Sequence, residues 1–325
     1  MKQIILIPQD VDDSGKDYLI EKGYELRILH DSSIETICNN ISDCSGLLLR
    51  TAPCTEEVFD AAPNLRVIGR HGVGYDNIDL AAATARRIQV CYTPLANANS
   101  VAEHTIMLLL ACAKNLVIKD KELRQGNYEI RNLMPGRDVF GKTLGIIGFG
   151  RIGNSVAKKA ALGLGMNILA YGHQLKIDNV PDYVTIMEEV DELIRQSDFI
   201  SLHIPYSEET KGFIDSKKLS LMNPDAVLIN TARGGIVNED DLYQALKEHK
   251  ILGAGLDVFE EEPFKETLSN IFQLDNVIVT PHSAALTKEA MARMSLDAAI
   301  GIDEVLSGRK LSWPVNQIDE RNHGI

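Results

Sequence analysis

Short runs of apolar and β-branched residues alternate, along almost the whole chain, with segments whose apolar positions recur at helical spacing. In the first third, the runs at 3–7, 25–28, 46–49, 66–69 and 88–91 predict strands. Helical patterns lie between them. The one at 55–61 has Thr55 as its N-cap and Pro63 beyond its end. Residues 100–116 then read as one long helix, opened by a capping box of Ser100 and Glu103. It is apolar on most sides, so it should be buried between domains or subunits. Residues 117–141 are more polar, contain Gly126, Pro135, Gly136 and Gly141, and read as an excursion from the core. From Lys142 a second series begins, with strands at 143–147, 167–171, 199–203, 226–230, 253–258 and 277–280 and helices at 152–161 and 288–306. Such alternation is the signature of an α/β fold with parallel sheets.

The length of 325 residues suggests two domains of about 150 residues each. With 45% hydrophobic and 24% charged residues, the chain reads as globular rather than disordered. Its net charge of −13, from 33 basic and 46 acidic residues, repels phosphate backbones and anionic membranes. Neither nucleic acid nor a membrane is therefore an expected partner. A small anion remains compatible, because a few local arginines outweigh the global field at short range. The cysteines Cys38, Cys44, Cys54, Cys91 and Cys112 form no C-x-x-C pair and are odd in number. They read as free thiols in a reducing compartment, and no metal is expected. The opening MKQIILIPQD is too short an apolar run for a signal peptide, and 106–113 is too short for a membrane span. A cytoplasmic protein is expected.

Gly148-Phe149-Gly150-Arg151-Ile152-Gly153 follows a predicted strand and opens a predicted helix. In that context Gly148 allows the tight turn, Gly150 admits a pyrophosphate to the backbone, and Gly153 lets helix and strand pack closely. The helix N-terminus offers N–H groups and a positive dipole end. A dinucleotide is implied. NAD sites usually place an Asp or Glu about 20 residues on, at the end of the next strand. Here that strand ends in Tyr171-Gly172-His173-Gln174-Leu175-Lys176, and the nearest acid is Asp178. Nothing at Gly172 repels a 2′-phosphate, and His173, Gln174 and Lys176 are placed to contact one. The balance tips toward NADP or dual use. A ribose held by backbone or water keeps NAD open.

Asn230-Thr231-Ala232-Arg233-Gly234-Gly235, Leu256-Asp257-Val258-Phe259-Glu260-Glu261-Glu262-Pro263 and Thr280-Pro281-His282-Ser283-Ala284-Ala285 each follow a predicted strand. Ligands of doubly wound sheets bind beyond the carboxyl ends of strands, so Arg233, Glu262 and His282 can converge. Their chemistry suits hydride transfer at a 2-keto acid. The planar fork of Arg233 matches a carboxylate. An imidazole such as His282 exchanges protons near neutrality. A carboxylate at Glu262 would orient that imidazole and favour its protonated form.

Several of these segments together resemble the D-isomer-specific 2-hydroxyacid dehydrogenase family over nearly the whole chain. The matching segments are Arg70-His71-Gly72-Val73-Gly74-Tyr75-Asp76-Asn77-Ile78-Asp79, Ser100-Val101-Ala102-Glu103-His104, the turn at Gly148, Leu202-His203-Ile204-Pro205 with Thr210, and the three segments just described. The resemblance implies that Arg233, Glu262 and His282 are catalytic. It implies that Asp257 meets the nicotinamide carboxamide, that Arg151, Ile152, Pro205, Thr231 and Ala232 touch the cofactor, and that Val73 and Gly74 offer N–H groups to the substrate carboxylate. It further implies two doubly wound parallel-sheet domains flanking a cleft. These would be a flavodoxin-like substrate domain (1–98 with 284–325) and a Rossmann cofactor domain (99–283), with a homodimer contact through 100–141. The sequence departs from the family pattern in lacking an acid at Gly172, and in carrying Ser283-Ala284-Ala285-Leu286 where a glycine pair is usual.

Within that family, Arg50 and Arg70 match positions where phosphoglycerate dehydrogenases carry substrate-binding arginines. This favours 3-phosphoglycerate as substrate, without the added regulatory domain of longer members. Glyoxylate or hydroxypyruvate is the alternative, and would suit an NADP preference. A more distant alternative is a cofactor-sensing, corepressor-like binding protein of the same fold.

Overall fold

The computed structural model describes residues 2–172, 175–176, 180–264 and 269–318. His173 and Gln174 lie outside the described residues. The chain divides into two compact units, Met1–Asn97 with Leu286–Ile325, and Ala98–Ala285.

In the order of the chain, the first unit begins with β1 (Ile4–Ile7), α1 (Asp13–Glu21), β2 (Glu25–Ile28), α2 (Ile34–Asn40), β3 (Gly46–Leu49), α3 (Glu56–Asp60), β4 (Val67–Arg70), α4 (Leu80–Ala85) and β5 (Gln89–Cys91). The second unit runs through α5 (Ala98–Ala113), α6 (Leu116–Arg124), α7 (Ile130–Leu133), β6 (Thr143–Ile147), α8 (Arg151–Leu164), β7 (Asn167–Tyr171), β8 (Val184–Ile186), α9 (Val190–Gln196), β9 (Phe199–Leu202), α10 (Ser216–Leu219), β10 (Val227–Asn230), α11 (Glu239–Lys247), β11 (Gly253–Leu256) and β12 (Val277–Val279). The chain then returns to the first unit with α12 (Lys288–Leu306).

Each unit is built on one parallel sheet. The first has strand order β2-β1-β3-β4-β5 and the second β12-β11-β10-β9-β6-β7-β8. Central strands such as β3, β9 and β10 are buried at every position. That is why they read as unbroken apolar runs rather than alternating ones. In the first unit α12 covers one face of the sheet, where Ala298, Ala299 and Ile302 pack with Ile5, Leu48 and Val67. In the second, α5 and α8 share a core with β6 and β7 through Leu108, Leu109, Val156, Ala160, Ile146 and Ile168.

Two expectations about local structure need correction. The long helix begins at Ala98, so Ser100 lies inside its first turn rather than at its cap. Glu103 instead bonds Asn99 Nδ2 at 2.7 Å and pairs with Lys159 at 3.4 Å. The helix also stops at Ala113, because Asn115 takes a left-handed conformation (φ 52) and redirects the chain. The excursion at 117–141 is partly helical, and α6 and α7 bury no residue, as expected of a segment outside the core. No single helix among the described residues is long and apolar enough to cross a membrane. Only α5 and α6 together reach that length, and they are bent 61° apart.

Candidate active site

The strand order of the second unit reverses between β6 and β9, and chemistry-bearing loops collect past the carboxyl ends of its strands. The chain leaves β6 at Gly148 (φ +97), whose N–H donates to the Tyr171 carbonyl at 2.8 Å. A Cβ on Gly148 would stand 2.5 Å from the His203 carbonyl carbon, and one on Gly153 2.2 Å from the Gly148 oxygen. Only glycine permits these approaches. Gly150 is the N-cap of α8, and no side chain caps the helix. Nothing lies within 4 Å of where a Cβ of Gly150 would be. Space and first-turn N–H groups thus remain for an anion, and Arg151 is exposed beside them. A dinucleotide pyrophosphate fits this cradle.

Other expected cofactor contacts surround the turn. Gly172 follows β7, and a Cβ there would be 3.2 Å from the Phe149 nitrogen. Past β9, Thr210 Oγ1 donates to the Pro205 carbonyl at 2.8 Å and shapes that loop. Past β10, Thr231 is buried and its hydroxyl meets that of Thr105 at 2.9 Å. The Ala232 N–H donates to Asn230 Oδ1 at 3.0 Å.

The structure brings Arg233, Glu262 and His282 together. His282 Nδ1 lies 2.6 Å from Glu262 Oε2, while Glu262 Oε1 accepts the Phe259 N–H at 2.7 Å. Glu262 is thereby fixed at both oxygens. Partial burial pushes its carboxyl up, but the hydrogen bond and charge of His282, the Phe259 N–H and the charge of Arg233 outweigh this. They hold it below the ordinary glutamate value. An ionised carboxylate only accepts, so Nδ1 of His282 carries the proton that it shares with Glu262. The imidazole is about half exposed, at 49%. Arg233 stands on the neighbouring loop, with its Nη1 donating to the Ala232 carbonyl at 2.7 Å and its own carbonyl accepting from Asn230 Nδ2 at 2.8 Å. Gly234 lets this loop press on the loop of Glu262: a Cβ would be 1.9 Å from the Phe259 carbonyl carbon. A half-exposed proton donor, its orienting carboxylate and a guanidinium can together bind an acid and protonate an oxygen.

Asp257 is wholly buried, and its oxygens accept from Thr280, Ser283 and Ala284. Sequence reasoning used neither Thr280 nor His104 in the chemistry, though both stand in segments it singled out. In the first unit, Arg50 follows β3 and donates to the Asp10 carbonyl at 2.9 Å. Arg70 ends β4, and its Nη1 bonds the His71 carbonyl. Val73 and Gly74 lie half-buried in the next loop.

Residues 106–284 match the model of the D-isomer specific 2-hydroxyacid dehydrogenase family's NAD binding domain. The chain is also 39% identical to a glyoxylate reductase of Korarchaeum cryptofilum, over 98% of this chain and 97% of that protein. The chain belongs to the D-isomer specific 2-hydroxyacid dehydrogenase family. It is 40% identical to a D-3-phosphoglycerate dehydrogenase of Methanocaldococcus jannaschii over 92% of this chain, which spans only 56% of that longer family member. Among solved structures it resembles the D-lactate dehydrogenase of Aquifex aeolicus complexed with NAD and lactic acid. The TM-score is 0.88 and the identity 30%, covering 98% of this chain and all (100%) of that one. The two parallel-sheet α/β units are those of family structures. As a family member the protein is a nicotinamide-dependent oxidoreductase of 2-hydroxy and 2-keto acids.

Proposed function

We propose that the protein interconverts a small D-2-hydroxy acid and its 2-keto acid using Arg233, Glu262 and His282. The Glu262–His282 hydrogen bond, beside the charge of Arg233, carries this reading. The bound nicotinamide supplies or accepts the hydride. Arg233 holds the substrate carboxylate and polarises the carbonyl. In the reducing direction His282 Nε2 gives its proton to the carbonyl oxygen as C2 becomes tetrahedral. In the oxidising direction it takes that proton back. Glu262 fixes the orientation of the ring. Gly148, Gly150, Arg151, Ile152 and Gly153 hold the pyrophosphate, with Gly172, Pro205, Thr210, Thr231 and Ala232 along the rest of the cofactor. The missing acid at Gly172 supports NADP or dual use over strict NAD.

For the substrate we favour 3-phosphoglycerate, with Arg50 and Arg70 on its phosphate and Val73 and Gly74 on its carboxylate. The charges of both arginines act on the same buried residue, His71, which supports a shared cationic locus. Glyoxylate or hydroxypyruvate is the second reading, supported by the glyoxylate reductase relatives. Initial rates with glyoxylate, hydroxypyruvate and phosphohydroxypyruvate, each with NADH and NADPH, test both. Arg50→Ala should slow phosphohydroxypyruvate at least about tenfold more than hydroxypyruvate, the weight of one charge-assisted contact. Equal loss on both removes the phosphate reading. No turnover of any 2-keto acid would favour a binding protein instead.

We also propose a homodimer through 100–141. That stretch exposes Met107, Leu116, Val117, Leu123, Tyr128 and Leu133. A solution mass near 35.9 kDa at micromolar concentration would refute it. All five cysteines are free thiols, which supports a reducing, cytoplasmic setting.

A further inference from the structure

The loop that carries His282 is tied to a single buried group. The Asp257 carbonyl accepts the His282 N–H at 2.8 Å. Asp257 Oδ1 accepts the Ser283 N–H and Oδ2 the Ala284 N–H, each at 2.9 Å. Three successive amides of the loop therefore end on one residue. Asp257 has no solvent-accessible surface with the loop in place.

Behind Asp257 stands a second layer. The Thr280 hydroxyl donates to Asp257 Oδ1 at 2.5 Å. Its one proton is thereby used, so toward His104 the same oxygen can only accept. His104 Nε2 lies 2.9 Å from it and is the donor, and the same nitrogen stands 3.5 Å from Asp257 Oδ1. The order is fixed: His104 Nε2–H to Thr280 Oγ1–H to Asp257 Oδ1, and from there to the amides around His282. His104 comes from the middle of α5 and Thr280 from the end of β12, so the loop is referenced to the rigid core of its unit. The need for such a tie is visible at His282 itself, whose φ of +49 is left-handed and costly for a residue with a Cβ.

We propose that Thr280 and His104 are positioning residues of the reaction, acting through Asp257 to hold the His282 loop in its strained, productive conformation. This rests on the assignment of His282 as the proton donor. Thr280→Val keeps the shape and removes the hydroxyl; Thr280→Ser keeps the hydroxyl. With Val, kcat should fall about tenfold while cofactor Kd changes less than about twofold. Amide exchange of the segment 281–285, read by mass spectrometry in the cofactor-free protein, should speed up about tenfold. Ser should restore both. His104→Leu should give a smaller loss of the same kind, and His104→Gln, which keeps an N–H at that reach, should repair it. Wild-type kcat and exchange in Thr280→Val would overturn the proposal. So would a Ser variant as impaired as Val. If the wild type turns over no 2-keto acid, the proposed function fails, and the exchange of 281–285 still decides whether Thr280 and His104 hold the loop.

Discussion

In the first unit the chain leaves β1 through residues 8–12 at the point where its strand order reverses, and closes that point with its own groups. Asp12 caps α1 by accepting the Ser14 N–H at 3.0 Å. Asp10 binds Lys16 at 2.8 Å, and its carbonyl takes the Arg50 guanidinium. Gln9 Oε1 accepts the N–H groups of Thr51 and Ala52. In the second unit the equivalent exit from β6 carries glycines, no capping side chain and no acid in the first turn of α8. Two sheets of one architecture thus treat the same topological position in opposite ways. The fold supplies a helix N-terminus in both. An anion site arises only where the chain declines to satisfy that terminus itself.

The contrast breaks most severely at His282, since the proposed proton donor and the proposed cofactor cradle lie on different loops of the second unit. His282→Ala should lower kcat at least about a hundredfold, because general acid catalysis is worth 10²–10⁴. Cofactor affinity, measured by fluorescence titration, should survive, because residues 148–153 are untouched. A kcat within about threefold of wild type would take His282 out of the mechanism.

The two units also differ in how each keeps a histidine neutral. In the first, burial and then the charges of Arg50 and Arg70 push His71 down to about 4. In the second, burial alone pushes His203 down to about 3. Both folded-state values lie below the unfolded one of about 6.5, so unfolded chain binds the extra protons in between. The stability each confers is complete above pH 6.5 and is lost as pH falls toward these values. By pH 5 the loss is on the order of 2 kcal/mol per histidine. Urea unfolding at pH 7 and pH 5 checks this: His71→Gln and His203→Gln should each shrink the difference between the two pH values. A difference that neither variant changes would assign the acid sensitivity to other groups. Only the His71 share should respond to salt, since only it includes the field of nearby arginines.

Much of this is legible in the sequence alone. Runs such as Ile4–Ile7 and Phe199–Leu202 declare strands because parallel strands bury both faces, and their alternation with helices gives the fold class. The three-residue strand Val184–Ile186 was missed because it lies at a sheet edge with one buried residue, too little to form a pattern. The start of α5 was misplaced because Ser100 and Glu103 have the spacing of a capping box. Local spacing does not reveal that Glu103 turns instead to Asn99 and Lys159. The groups beneath the His282 loop were the least visible. His104 and Thr280 are 176 residues apart, and no periodicity encodes a contact made only when α5 packs against β12.

The smallest effects give the sharpest test of the two turns, because each can be rewritten toward the other. Gly150 has φ −80 and ψ −159, extended backbone open to any residue, and its missing Cβ faces empty space. Gly150→Asp should therefore fold normally and cap α8 as Asp12 caps α1, raising stability by only about a few tenths of a kcal/mol over glycine. The same carboxylate would stand where the pyrophosphate is proposed to bind. Repulsion at short range in a partly desolvated site should weaken cofactor binding at least about tenfold. Gly150→Asn caps equally well without the charge and should lose clearly less. The reciprocal change, Asp12→Ala, should cost about 1 kcal/mol of stability and leave cofactor affinity alone. Calorimetry and titration on the three variants separate capping from anion binding. Wild-type cofactor affinity in Gly150→Asp would mean that no anion sits at this helix end, and the difference between the two turns would then be one of packing alone.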